Sequence, residues 1–600
     1  MDNFTTPLLT RLCLATLLAL SGAGLAQAAD SAATPAAAAA AATVTATATA
    51  TAAATAAATA AATATTTPLV PAAAPRLADI DISPVPARRS TSPLKAGWEK
   101  GAFMEIFVRA FADGDGDGVG DLKGLTQRLD ELKDLGVTGL WLMPITRNAD
   151  GDHGYATSDY RSIAPEYGTL ADFDELIKQA HARGIGVVMD YVVNHSAAQF
   201  PPFMDAAKNP ASPWRKWFVF SDTEPKGWDI WGKNPWYLTA AEHWNSKLEP
   251  KDLPPAPAGS RDFYFGTFGP HMPDFNLRNP AVVAYHEDSL RFWLNRGLDG
   301  FRLDAVPHLI ERDAVAWNDQ PESRALTLRL AKLIRSYDKR WVVCEATAKP
   351  ESWAAPNVCG SAFAFGYVEN YVKAAKGDTA AVEKLASFWR TAPEGMSTMV
   401  HNHDIFAGDR LWDQLQGDEA RYKLVAATYL LQPGTPFIYF GEDIGLAGAL
   451  GVTGDLPLRS PMSWTSDPRT AGFTTGTPFR PLAPNLARQN VASQKADPDS
   501  IRSFYKAMLS LRNGHPSIAR GSFEHSFAKG NVLGFQRALG KERTLVVINY
   551  GASTTVKVPG LSGKAQLVSL FPAVGSAETA SKATGSIDLP AQSVQVWRVK

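Results

Sequence analysis

The sequence predicts an α/β protein, a (β/α)8 TIM barrel with an insertion domain after its third strand and a C-terminal antiparallel β-sandwich domain. Three observations point there. An amphipathic helix, a Gly and a short apolar strand recur along residues 97–520, the rhythm of parallel β/α units. The strands end in polar or charged residues, and past residue 521 the pattern turns to short strands without helices between them. No Gly-rich dinucleotide loop appears, which disfavours an open doubly wound sheet.

In chain order, Arg11 precedes the apolar stretch Leu12 to Leu20, and small residues lead to Ala26-Gln27-Ala28. This predicts a signal peptide over residues 1–29, export to the periplasm or medium, and no membrane contact after cleavage. Ser21 and Gly22 interrupt the stretch short of the ~20 apolar residues that a membrane span needs. Residues 30–96, dominated early by Ala and Thr, are expected to be a disordered linker, because β-branched Thr lowers helix propensity and nothing supplies an apolar face.

Residues 97–195 are the first part of the barrel. Leu122, Leu125, Leu129, Leu132 and Leu135 mark a helix, Gly136 stops it, and Val137–Met143 is a strand. Phe173, Leu176, Ile177 and Ala180, then Gly184 and Ile185–Val193, repeat the unit. Residues 196–275 lose the rhythm and are rich in Trp, an insertion domain too long for a plain connector. The barrel resumes over 276–520 with strands Gly300–Asp304, Trp341–Glu345 and Pro436–Phe440, and residues 521–600 form the C-terminal domain. Cys13 leaves with the signal, and Cys344 and Cys359 read first as two buried thiols, with a disulfide between them as the open alternative. Lys plus Arg is 59 and Asp plus Glu is 60, a net charge of −1, so the basic field that draws proteins to nucleic acid is missing.

The chemistry lies at strand ends. Asp190 and His195 close the third strand, Arg302 and Asp304 the fourth and Glu345 the fifth, while His401-Asn402-His403-Asp404 follows the apolar run Met396–Val400. In a barrel these ends meet on one face. Apolar strands do not carry charges to their ends by default, because burial requires pairing. Separately, Asp113-Gly-Asp115-Gly-Asp117-Gly-Val119-Gly-Asp121 alternates carboxylates with Gly, so the chain can wrap a hard cation.

These four strand-end segments resemble the four signature regions of the α-amylase family, glycoside hydrolase family thirteen. Gly136–Ile145, Met272-Pro-Asp-Phe-Asn276 and Gln432–Glu442 fit in family order. The resemblance implies that Asp304 is the nucleophile, Glu345 the general acid/base and Asp404 the carboxylate that holds the sugar hydroxyls. It places Tyr155, Asp190, His195, Arg302, His308 and His403 on the substrate. It makes the acidic run a structural Ca²⁺ loop, with Asp113, Asp115, Asp117, the Val119 carbonyl and Asp121 as ligands. Arg302, two residues from Asp304, is expected to keep that carboxyl ionised. Pro307 stands where many starch-degrading members carry Lys, and Met272–Asn276 is intermediate between the oligo-1,6-glucosidase and neopullulanase versions. The implied activity is retaining hydrolysis of α-1,4 bonds in α-glucan or maltooligosaccharides by a monomer. An exo-acting α-glucosidase or a transglycosylase such as trehalose synthase uses the same residues, and a non-catalytic carbohydrate-binding homologue is the third reading.

Overall fold

Eight short parallel strands close into a barrel in sequence order: β1 (Phe103–Ile106), β2 (Gly139–Leu142), β3 (Gly186–Tyr191), β4 (Gly300–Leu303), β5 (Trp341–Cys344), β6 (Ala362–Phe363), β7 (Met396–Thr398) and β8 (Thr435–Tyr439), which returns to β1. The computed structural model describes residues 75–88, 91–239, 262–561, 565–572, 580–582 and 585–600. The expected signal peptide, nearly all of the Ala/Thr stretch and Trp244 of the insertion lie outside them. No described helix is long and apolar enough to cross a membrane.

Side chains alternate across each strand, so residues two apart share a face. One interior layer is apolar: Phe103, Val188, Val343, Phe363 and Phe437, closed off by Leu94 and Trp98. Phe103 stacks on Phe437 with ring centroids 4.8 Å apart. Two glycines make room for this plug. A Cβ on Gly186 would lie 2.2 Å from the Trp98 ring, and one on Gly139 would lie 2.5 Å from the Phe103 ring. Two residues further along the same faces stand Glu105, Trp141, Asp190, Arg302, Glu345 and Tyr439. The register sets Asp190 opposite Arg302 and Arg302 opposite Val343. The apolar plug thus fixes the parity that delivers charged side chains to the next layer.

The insertion contributes a helix, Pro201–Lys208, and a three-stranded sheet of Phe220–Ser221, Phe263–Phe265 and Trp236–Leu238. The C-terminal domain is a six-stranded antiparallel sheet beside a two-stranded one, packed around Val532, Leu545, Val547, Val556, Leu567 and Leu589. Its Tyr550 hydroxyl meets Thr428 Oγ1 on the helix before β8 at 2.7 Å.

Three expectations need correction. The described end of the expected disordered linker is fastened to the barrel. The Val85 amide donates to Asp288, the Arg88 amide to Asn295 and the Ser92 amide to Asp338, while Arg161 donates to the Ser83 carbonyl. Cys344 and Cys359 form a disulfide. The chain leaves β5, turns through the short helix Pro350–Trp353 and returns one strand over, where Cys344 pairs in register with Ala362, so the second thiol is carried back to the first. The helix expected over Leu122 to Leu135 is two helices, Leu122–Gln127 and Leu129–Leu135, broken at Arg128.

Candidate active site

Arg302 organises the site. Its side chain is 1% exposed, and it faces three carboxylates at once. Nη1 donates to Asp190 at 2.9 Å and also bonds Asp304, while Nη2 lies 3.0 Å from Glu345 Oε2. The Trp141 and Tyr155 rings flank its guanidinium at 5.2 and 5.7 Å. Glu345 is held from a second direction, because the Ala305 amide donates to its Oε2 at 2.9 Å. Ala305 reaches that pose at a φ of 47°, left-handed backbone that a non-Gly residue adopts at a cost. The strained residue directly after Asp304 therefore clips the two carboxyl groups together.

Asp190 accepts from the Tyr155 hydroxyl at 2.8 Å and the Trp141 indole at 3.3 Å. The Tyr155 ring stacks on His403 at 5.4 Å. His403 Nε2 lies 3.1 Å from Asp404, and His403 Nδ1 lies 2.6 Å from Glu105 on β1. Arg459 reaches Asp404 at 3.3 Å and Asp152 at 2.8 Å, and Arg480 donates to Asp152 at 2.7 Å. On the opposite side His195 packs on Phe268 at 5.1 Å, Phe268 meets His308 edge-on at 5.6 Å, and His308 stacks on Trp317. Trp231, 59% exposed, covers the His308 and Trp317 rings.

The electrostatics follow from burial. One guanidinium faces three carboxylates, so the negative charges that it leaves unbalanced repel one another. Burial, with the Glu345 and Asp190 charges, pushes Asp304 well above the usual carboxylate range against the pull of Arg302. The pull of Arg302 on Asp304 expected from the sequence is present, and it is opposed by burial and by the two other carboxylates. Burial also raises Asp190 despite Arg302. Asp404 goes the other way: burial works against its charge, but His403 and then Arg459 and Arg302 outweigh it and hold the carboxyl far below its ordinary range. Burial and the neighbouring His271 push His195 down to about 3, and burial brings His308 to about 4, so both stay neutral. The neutral His195 ring keeps one donor and one acceptor nitrogen beside the Phe268 ring.

The structure thus brings Tyr155, Asp190, Arg302, Asp304, Glu345, His403 and Asp404 into one bonded network, with His195 and His308 on its aromatic flank. The Asp113–Asp121 run is a separate place. Carboxylate oxygens of Asp113, Asp115 and Asp117 lie within 4.8 Å of one another, and no other acidic, His or Cys cluster of that kind occurs among the described residues. Asp121 stands apart from that trio. It caps the helix Leu122–Gln127, its two oxygens accepting from the amides of Gly124 and Gly114. The Val119 amide donates to Asp117 Oδ1 at 2.8 Å.

Glu105, Asp152, Arg459, Arg480 and Trp231 were not visible as site residues in the sequence. Glu105 carried one usable signal: it lies two residues after Phe103 in a four-residue strand, on the inward parity. The others come from loops far apart in the chain and carry none.

Residues 105–521 match the family model described as the α-amylase catalytic domain. A trehalose synthase/amylase of Mycolicibacterium smegmatis is 32% identical over 502 residues, 76% of this chain and 82% of that protein. An α-amylase of Dictyoglomus thermophilum is 31% identical, covering 75% and 85%, and an α-glucosidase of Pediococcus pentosaceus is 28% identical, covering 77% and 93%. Among solved structures, the trehalose-6-phosphate hydrolase of Bacillus licheniformis superposes with a TM-score of 0.71 at 25% identity, covering 84% of this chain and 100% of that one. Strand order, the carboxylate network and these similarities agree: the chain is a glycoside hydrolase of the α-amylase family, glycoside hydrolase family thirteen.

Proposed function

We propose that the enzyme hydrolyses α-1,4-glucosidic bonds of maltooligosaccharides and short α-glucans with retention of configuration, as an exported, monomeric α-amylase. The observation that carries this is the pair Asp304 and Glu345 on one buried guanidinium. Retaining enzymes keep their two carboxyls roughly 5–5.5 Å apart, whereas inverting ones open the pair to admit a water. Two carboxyls bonded to one guanidinium favour the closer arrangement. In the first step Glu345 gives a proton to the glycosidic oxygen, the C1–O bond breaks, and Asp304 forms an ester at C1. In the second, Glu345 takes a proton from water, whose oxygen attacks C1 and releases Asp304. This sequence of steps requires Glu345 to enter protonated and Asp304 ionised. Asp404, kept anionic by His403 and Arg459, accepts from the sugar hydroxyls and faces the positive charge that develops in the ring.

A second reading, exo action or glucosyl transfer, is favoured by the Asp152–Arg459–Arg480 ion pairs. They set paired charges directly beside Asp404, a surrounding that suits a short sugar end better than a continuous glucan groove. Chromatography of early products from maltoheptaose and soluble starch separates the readings. A spread of maltooligosaccharides supports the amylase. Glucose released alone from chain ends, or trehalose, supports the second reading and overturns the first.

The Cys344–Cys359 disulfide supports export, since such bonds persist in oxidising compartments. The Asp113, Asp115 and Asp117 oxygens suit a hard cation, and burial followed by mutual repulsion lifts Asp117 and Asp121, a strain that Ca²⁺ would relieve. Ca²⁺ there would tie the loop and add no reacting group. Chelation is therefore expected to lower the melting temperature and leave activity intact at low temperature. A site filled at a hundred times Kd contributes about 2.7 kcal/mol. Asp113→Ala with Asp117→Ala should remove the dependence. Unchanged melting after exhaustive chelation, with no calcium by elemental analysis, would mean that the run is a solvated turn.

A further inference from the structure

The His403 ring is surrounded by acceptors. Nδ1 lies 2.6 Å from Glu105 Oε1, and Nε2 lies 3.1 Å from Asp404 Oδ2 and 2.9 Å from the Tyr155 hydroxyl. The Tyr155 hydroxyl gives its single proton to Asp190, so toward His403 it can only accept. Nε2 must therefore carry a proton. On the other side of the ring a second proton must lie between Nδ1 and Glu105, because two bare lone pairs cannot face each other at that distance. Glu105 is buried, and His403 is its only recorded side-chain partner among the described residues.

We propose that Glu105, on the first barrel strand, is a positioning residue that keeps His403 protonated at both nitrogens, so that its Nε2–H is permanently aimed at Asp404 and the sugar. This rests on the reading above that His403 and Asp404 hold the sugar. A neutral ring could place its only proton on Nδ1 and turn a lone pair toward Asp404, which would repel it. Glu105 alone would hold the proton on Nδ1 and Asp404 alone would hold it on Nε2, so with a carboxylate at each nitrogen both protons are kept and the ring stays a cation. The charged and titratable groups around the ring are Glu105 from β1, Asp404 beside it, Tyr155 and Asp190, Arg302 from β4, and Tyr439 from β8, with Arg459 donating to the His403 carbonyl at 3.1 Å. Burial opposes the cation, but Asp404 and then Glu105 prevail and raise His403 to about 10. A raised histidine keeps its charge below that value and loses it only as pH climbs through it.

Removal of one of the two carboxylates should bring that loss into the working range. With a p-nitrophenyl maltooligosaccharide, the alkaline limb of kcat/KM in Glu105→Gln is expected to move down by about one pH unit or more. Glu105→Asp keeps the charge and should leave the limb within about half a unit of wild type. In a His403→Asn background, where that ring cannot titrate and the limb reports the remaining groups, Glu105→Gln should shift nothing further. On the native protein, independent of any Glu105 variant, nitrogen NMR of histidine-labelled enzyme should show a doubly protonated ring at about pH 8, identified by its loss in His403→Asn. A Glu105→Gln profile that overlays wild type, an equal shift in Glu105→Asp, a shift that persists without His403, or a singly protonated His403 would each overturn the proposal. Asp404→Asn with activity within about tenfold of wild type would instead overturn the sugar-holding reading.

Discussion

Asp304→Asn is expected to lower turnover by on the order of 10⁴-fold or more in a folded protein, because no covalent intermediate can form without the carboxylate. Glu345→Gln should cost about 10²–10⁴-fold with natural substrates, the range for loss of a positioned proton donor. The two losses can be told apart. An α-glucosyl fluoride leaves without a proton, so Glu345→Gln should recover much of its first step on that substrate, and Asp304→Asn should recover none. Neither change alters volume, and each amide can still accept from Arg302. Folding, read by circular dichroism and melting, should stay close to wild type. Activity within about tenfold of wild type for either variant on maltooligosaccharides would remove that residue from its role.

Arg302→Met has the second largest expected effect, and it falls on stability as well as turnover. The guanidinium is buried against Asp190, Asp304 and Glu345. Its removal leaves buried carboxylates with no cation, a change that costs about 3–5 kcal/mol when a buried ion pair is broken from one side. The sign of the pH dependence follows. Carboxylates stripped of Arg302 have folded pKa values raised above their unfolded ones, so they destabilise the variant at neutral and higher pH. As the pH falls they take up protons and the penalty shrinks. The stability difference from wild type, measured by denaturant unfolding, should therefore be smaller near pH 5 than near pH 8. A variant as stable as wild type at both would mean that Arg302 is not the counter-charge of the cluster.

What the sequence disclosed is what local pattern encodes. Helix, Gly, apolar strand is a repeated local signal, and the strands at Gly139, Gly186, Gly300, Trp341 and Thr435 were all anticipated from it. The carboxylates were legible because an apolar run that ends in Asp or Glu is conspicuous. Other features depend on register or on distant loops. β6 is two residues long, Ala362 and Phe363, and offers no run to detect. The strand Ser522–Lys529 is mostly half-exposed and lacks an apolar face to announce it. Cys344 and Cys359 looked like isolated thiols because nothing in their spacing shows that the chain returns to the neighbouring strand. Arg459 and Arg480 join Asp152 across 307 and 328 residues, most of the barrel sequence, a pairing that only the closed barrel creates. The surroundings of Asp304 were read incompletely for a related reason: one adjacent Arg was counted, and the other two carboxylates that share it were not.

The direct test of the account is the configuration of the first-formed product. If Asp304 displaces the leaving group and water then displaces Asp304, the configuration at C1 inverts twice and is retained. Proton NMR of maltooligosaccharide hydrolysis, recorded before mutarotation, should show the new reducing end as the α-anomer. A β-anomer appearing first would mean a single displacement by water, and Asp304 would not be the nucleophile.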